Sequence, residues 1–426
     1  MVAGVIIWRL QTYEDNMRRD LLDTVEIEVT ALRVGDKDNF QEIHRSISQD
    51  WLNRQDALFD EYQQLKTTRN LQLTGEVLDV EMDLDESRAR VVLRERLDNG
   101  VPYKVVWFYW HFDDENERSG WRRVPPDIQF WGEEDTTREG NVSVEYYGLD
   151  EKLGKALPGQ LNEWLERGCI LLNCPRPVEK LQVEVTPEPG FIRWDEDEDW
   201  QLIIPSPYHL YDRVPDNVAI TPDLEVELAR LLAAHLLQYR MGPDFQPVRF
   251  SDAEWLYNEY PHWLAAELVD NPAIGSAFLS SLSAQFGEQV PGTLLGNLAP
   301  GSRINILQTV TGSSLSTLSI EQLNALDWRG FFQWRLNIER TIALEGFADE
   351  LYFSLYDRQD ANADTGAHLR LQAIRNDPNY VTPMVQEVSI TVGGSGDLLA
   401  YVTTEIPDSP IIFRWIEAEN TWKRAS

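Results

Sequence analysis

After residue 70 the hydrophobic period of this chain changes from helical to two, and the same change returns near the C-terminus. That repeat constrains the fold more than any other feature. From Leu10 to Leu32, apolar residues recur at Leu10, Tyr13, Met17, Leu21, Val25, Val29 and Leu32, one stripe of a helix. Gly35 stops that helix and Asp36 is placed to cap a second, which carries Phe40, Ile43 and Ile47. A third carries Trp51, Gln55, Leu58, Phe59 and Tyr62. Then Leu78, Val80, Met82 and Leu84 alternate with Asp79, Glu81 and Asp83, and Ala89, Val91, Leu93 and Leu97 alternate with arginines, as strands with one apolar face do. "DNG" at 98–100 signals a hairpin turn, and "YKVVWFYWHF" is apolar on both faces, which predicts a central strand covered on both sides.

The plan repeats after residue 330. A helix with Leu336, Ile342 and Leu344 runs to Gly346, another holds Leu351, Phe353 and Leu355, and strands are expected at 384–392, 398–406 and 411–417. "VLDVEM" and "VQEVSI" open the two sheets; "FYWHFDDENERSGWRR" and "FRWIEAENTWKR" close them. The pattern predicts an internal duplication of a unit made of helices followed by an antiparallel sheet. Each copy resembles the nuclear transport factor two / ketosteroid isomerase-like cone fold, over about 10–135 and 330–426. The resemblance implies a pocket between the helices and a curved sheet, which Glu95, Tyr103, Tyr109 and His111 would face. In the isomerase members a strand carboxylate acts as base. Spacing alone identifies no converging acid–base pair among the four, and filling the cone or ending strands in water is their plainer role.

The middle segment reads as α+β and mostly helical. "LPGQLNEWLERGCILLNC" is expected to be a helix, "KLQVEV" and "WQLIIPSP" strands, and a long helix opens at Thr221, Pro222 and Asp223 with good capping chemistry. Further helices are expected around 251–269, 272–287 and 291–299. This order is similar to that of the gluzincin, or peptidase MA-like, metallopeptidases, with "IIPSPYHLYDRVPDN" approaching the zinc helix and "YPHWLAAEL" supplying the later segment. Zinc hydrolysis there needs two histidines one helical turn apart, a glutamate beside the first and a third ligand from elsewhere. On this chain His235 keeps the first ligand position, Leu236 stands at the general base, Tyr239 at the second histidine and Ala266 at the third ligand. Glu267 is one residue out of register, about 100° around a helix. The resemblance therefore implies a degenerate peptidase with no metal and no cofactor. Independently, His235 lies on the stripe Leu224, Leu228, Leu231, Leu232, His235 and Tyr239, where a packed, hydrogen-bonded histidine needs no ancestry.

The domains expected are an apolar segment at 1–9, a cone at 10–140, the degenerate region at 141–329 and a second cone at 330–426. The acidic balance, 71 Asp and Glu against 38 Lys and Arg for a net charge of −33, argues against nucleic acid and anionic lipid as partners. "DEDED" at 195–199 reads as a solvated hairpin loop. Cys169 and Cys174 are the only cysteines, to be bridged in an oxidising compartment or free in a reducing one. "MVAGVIIWRL" is apolar for about eight residues where a span needs roughly 20. It reads as the end of an anchor lying upstream or as a short packed segment. No nucleophile elbow, phosphate loop or dinucleotide fingerprint occurs. The expectation is a non-catalytic binding or scaffold protein, extracytoplasmic and membrane-tethered, with a protein or cell-envelope partner. The alternatives are a hydrolase or isomerase-like enzyme using carboxylates in a cone pocket or central cleft, a structural subunit of an assembly, and a cytoplasmic location.

Overall fold

The computed structural model describes residues 2–425 apart from 84, 86, 99, 114–118, 179, 212, 359, 378 and 407–409; for 2–10 and 361 it describes the backbone alone. Leu84, the middle of the 98–100 turn and most of the loop before "GWRR" thus lie outside the described residues. The chain packs as two compact units, residues 1–162 with 179–221, and residues 163–178 with 222–426. The fold class is mixed α+β, as the alternation of periods predicts.

In the first unit, α1 (Val2–Val34), α2 (Lys37–Ile43) and α3 (Gln49–Thr68) precede the strands β1 (Gln72–Asp83), β2 (Arg88–Leu97), β3 (Val101–Phe112) and β4 (Gly120–Val124). α1 buries Met17, Leu21, Val25, Val29 and Leu32 and ends at Gly35, whose φ of 82° a glycine adopts without steric cost. The Asp36 carboxylate then accepts the Asn39 N–H to start α2, and Ser48 does the same for Trp51 in α3. Ile47, assigned to α2 by spacing, lies beyond its end and is fully exposed, because His44 leaves the helix to bridge with Arg123 of β4. β1 to β4 form an antiparallel meander. One face, carrying Ala89, Val91, Leu93, Val105, Trp107, Tyr109 and Trp121, packs against the helical stripe. On the other face Phe108 is covered by Trp131, stacked at 5.4 Å, whereas Trp110 stays partly exposed. The double cover expected for β3 therefore holds over its middle and not at its end.

A second sheet of the same unit runs β5 (Glu134–Glu139), β6 (Val142–Tyr147), β7 (Leu181–Thr186), β9 (Gln201–Pro205), β8 (Arg193–Trp194), with β6, β7 and β9 parallel and the two outer strands antiparallel. α4 (Glu151–Leu172) connects β6 to β7. β5 reads "EDTTRE" and carries no apolar alternation, so the domain boundary expected at 140 falls inside the β5–β6 hairpin. The "DEDED" run is the β8–β9 turn, where the Asp195 carboxylate accepts the N–H groups of Asp197 and Glu198. α5 (Pro207–Leu210) follows, and β10 (Val214–Pro215) returns to pair with β3 at Tyr103 and Lys104.

The second unit holds α6 (Pro222–Met241), α7 (Asp252–Leu268), α8 (Ala277–Phe286), α9 (Val290–Gly296), α10 (Gln308–Thr311) and α11 (Ile320–Ala325). It continues with α12 (Arg329–Leu344), α13 (Asp349–Phe353), α14 (Ala361–Asn376) and the meander β11 (Val385–Val392), β12 (Leu398–Thr404), β13 (Ile411–Ile416) and β14 (Thr421–Arg424). α14 occupies a stretch that reads as polar; Asp360 caps it and Ala367, Leu371 and Ile374 are its narrow buried stripe. Both ends of the chain therefore present three helices followed by a four-strand meander in the same order. The β11 edge is closed by Asn324, whose side-chain amide donates to the Ile390 carbonyl and accepts its N–H, in place of a further strand. Among the described residues, no helix is long and apolar enough to cross a membrane.

Candidate functional site

The positions that would carry zinc chemistry are occupied by packing. Leu236 is fully buried on α6, and a methyl group at Gly168 of α4 would stand 2.7 Å from its Cδ1. The hydroxyl of Tyr239 donates to the carbonyls of Arg176 and Pro177, at 3.4 Å each. Ala266 is buried against Gly275, where a methyl would meet its Cβ at 2.6 Å. Glu267, the residue out of register, pairs with Arg167 at 3.3 Å. His235 sits half-buried on the stripe, with Leu232 and Leu236 buried beside it. Cys169 and Cys174 are joined in a disulfide at the end of α4, with their Cα atoms 4.9 Å apart.

Between α1–α3 and the first meander lie two buried carboxylates, one of them unanticipated. Glu28 of α1 is completely buried; it accepts the Tyr109 hydroxyl at 2.7 Å and Arg123 Nη1 at 2.6 Å, and His44 Nε2 lies 3.7 Å away. Glu95 of β2 accepts the Tyr62 hydroxyl at 2.5 Å and Arg213 Nε at 2.7 Å, and Arg213 also reaches Glu61 and lies 4.5 Å over the Tyr62 ring. Burial raises the Glu95 carboxyl above its usual range despite Arg213 beside it. Burial first, and the neighbouring carboxylates second, push both phenols well up, so Tyr62 and Tyr109 remain donors. Burial also lowers His44, against the pull of Glu28. Of the four residues expected at a pocket, Glu95 and Tyr109 are buried but belong to different groups. Tyr103 packs half-buried on the core, and His111 turns to Asp113 at 3.2 Å with Trp121 edge-on. The four do not converge.

A cleft of about 170 Å³ opens between α3, β3, β4 and α5, with Tyr62 and Arg123 among its walls. It belongs to the first unit alone.

The second unit builds the same node. Glu339 of α12 accepts Arg424 Nη1 at 2.7 Å and the hydroxyl of Tyr356, which in turn meets Tyr352. Tyr356 bridges to Arg424 in parallel sense as His44 does to Arg123. Asp357 N donates to the Arg424 carbonyl as Arg45 N does to that of Arg123. Glu28 stands as far before Gly35 as Glu339 before Gly346, both glycines having positive φ. Trp121 precedes Arg123 as Trp422 precedes Arg424. The phenol of the node changes origin: it comes from β3 in the first unit and from the bridging residue in the second, where Phe413 of β13 holds the position opposite Arg424.

A third buried acid lies outside both nodes. Asp150 precedes α4 and accepts the Ser206 hydroxyl at 2.8 Å; burial raises its carboxyl to about 7, with Ser206 pulling the other way. Its unfolded value is near 3.8, so the native state binds the extra proton between these limits. The stabilising contribution is complete below pH 3.8 and is lost as pH rises through about 7. Asp150→Asn is expected to remove that slope and to raise stability above pH 7 by on the order of 3 kcal/mol. Urea unfolding of both proteins from pH 4 to 8 checks it; parallel curves for the two would contradict the assignment.

No protein-family description, curated protein or solved structure matches the chain.

Proposed function

We propose that this chain is a non-catalytic binding or scaffold protein, built as two cone-like units, 10–140 and 330–426, around a degenerate gluzincin-like region at 141–329. Its partner is a protein or cell-envelope component, met outside the cytoplasm on a membrane tether. The observation that carries the reading is Leu236, packed and fully buried where hydrolysis would need a solvated glutamate. Tyr239 and Ala266 support it, one tied to backbone carbonyls and the other closed against Gly275. The repeated Glu–Arg node supports the duplication, and the Cys169–Cys174 disulfide supports an oxidising compartment. An enzyme using cone carboxylates would need one free to exchange a proton, yet Glu28 and Glu95 are each held between a guanidinium and a phenol. Purified protein should show no chelator-sensitive hydrolysis of casein or of a mixed peptide library. Chelator-sensitive turnover that follows the protein through repurification would overturn the reading.

A further inference from the structure

We infer that the cleft of the first unit binds a small organic anion, a carboxylate bearing an adjacent hydroxyl. The inference rests on the binding-protein reading and names a ligand class for it. In a chain of net charge −33, the residues around this cleft include Arg54 and Arg123 and no aspartate or glutamate among those described. Glu28 and Glu95 stand just behind this wall, each paired with an arginine, and Arg54 adds a positive charge that favours an anion. Arg123 is about nine-tenths buried, lies 4.4 Å over the Trp107 ring, donates Nη1 to Glu28 and lines the cleft.

The second observation is Gln55. It is more than nine-tenths buried on α3 and borders the cleft, and its Oε1 has no hydrogen-bond partner among the described residues. A buried acceptor left unmet is costly, and a ligand hydroxyl would satisfy it. Burial lowers His209 below its usual range, with a smaller push from Arg54, and its Nε2 is held by the Pro187 carbonyl at 2.6 Å. It stays neutral at pH 7 and adds a flat wall rather than a charge. Trp51 and Leu58 complete an apolar side, and about 170 Å³ suits a small ligand. Guanidinium, buried amide oxygen and apolar wall together match a short branched hydroxy acid.

The test is calorimetric titration of the full chain with 2-hydroxy-3-methylbutanoate, its methyl ester and 3-methylbutanoate. The hydroxy acid should bind, with the ester and the deoxy acid each weaker by about tenfold. Gln55→Leu should weaken the hydroxy acid to the level of the deoxy acid and leave the deoxy acid unchanged, while raising the thermal midpoint because an unmet acceptor is gone. Arg54→Gln should weaken both acids and not the ester. No binding of the hydroxy acid to folded wild type, or an ester that binds as well as the acid, would overturn the inference. Failure here without peptide turnover removes the anion site alone, whereas chelator-sensitive turnover removes the binding-protein reading whatever the acid does.

Discussion

Leu236→Glu, which puts a glutamate at the position proposed to correspond to a zinc peptidase's general base, is expected to unfold the second unit rather than activate it. Leu236 has no exposed surface, and its Cδ1 fills the space beside Gly168 so closely that a single methyl there would collide. A carboxylate at this point loses the leucine's burial and gains no partner, and it must either stay protonated or carry an unpaired charge in an apolar contact. The expected loss is about 4 kcal/mol or more at pH 7, the size found when a buried charge is left uncompensated. Leu236→Met, which keeps volume and polarity, should cost less than about 1.5 kcal/mol. Urea unfolding followed by circular dichroism separates the two. A Leu236→Glu protein with wild-type stability would mean that position 236 faces water, as an active cleft requires.

The second large effect belongs to the repeated node. Arg123→Met takes from the buried Glu28 the guanidinium that pairs with it, and Arg424→Met does the same to Glu339. Breaking a buried pair from one side costs about 3–5 kcal/mol, whereas replacing both partners with apolar groups of similar size is often close to neutral. Each single substitution should therefore lower the unfolding midpoint strongly. The doubles Glu28→Leu with Arg123→Met, and Glu339→Leu with Arg424→Met, should recover most of it. Equal behaviour in the two copies would show that the node does the same physical work twice. A single substitution costing under about 1 kcal/mol would show that water reaches the carboxylate.

Much of the fold was legible because its periods are clean. The α1 stripe, the Gly35 stop, the Asp36 cap and the alternation in β2 each have one physical reading, whereas in β1 an irregularity between Val77 and Asp79 brings Val77, not Leu78, to the core with Val80 and Met82. β5 escaped because "EDTTRE" has no apolar face, and α14 because Ala367, Leu371 and Ile374 make a stripe too narrow to stand out in a polar stretch. Ile47 was misplaced because spacing cannot see that His44 leaves its helix for a bridge to β4. The site was less legible. Glu28 did carry a signal: it is an acid within the apolar stripe of α1, and Glu28, Thr30 and Gly35 recur as Glu339, Thr341 and Gly346. Arg123 carried a fainter one: "WRR" and "WKR" share only the tryptophan and the last arginine, and strand parity sends Arg123 inward while Arg122 turns to backbone carbonyls near its own turn. Gln55 was visible as a polar residue among the apolar positions of α3, but its unmet oxygen is a property of packing.

Counting metal decides whether the α6 positions proposed to correspond to a zinc site serve packing instead. Protein purified without chelator from zinc-supplemented cells, and analysed by elemental mass spectrometry against its measured concentration, should hold well below one zinc per chain. Adding zinc should not raise its thermal midpoint, because a metal stabilises only the state that binds it. Stoichiometric zinc that survives dialysis and is lost on substitution of His235 would contradict the account.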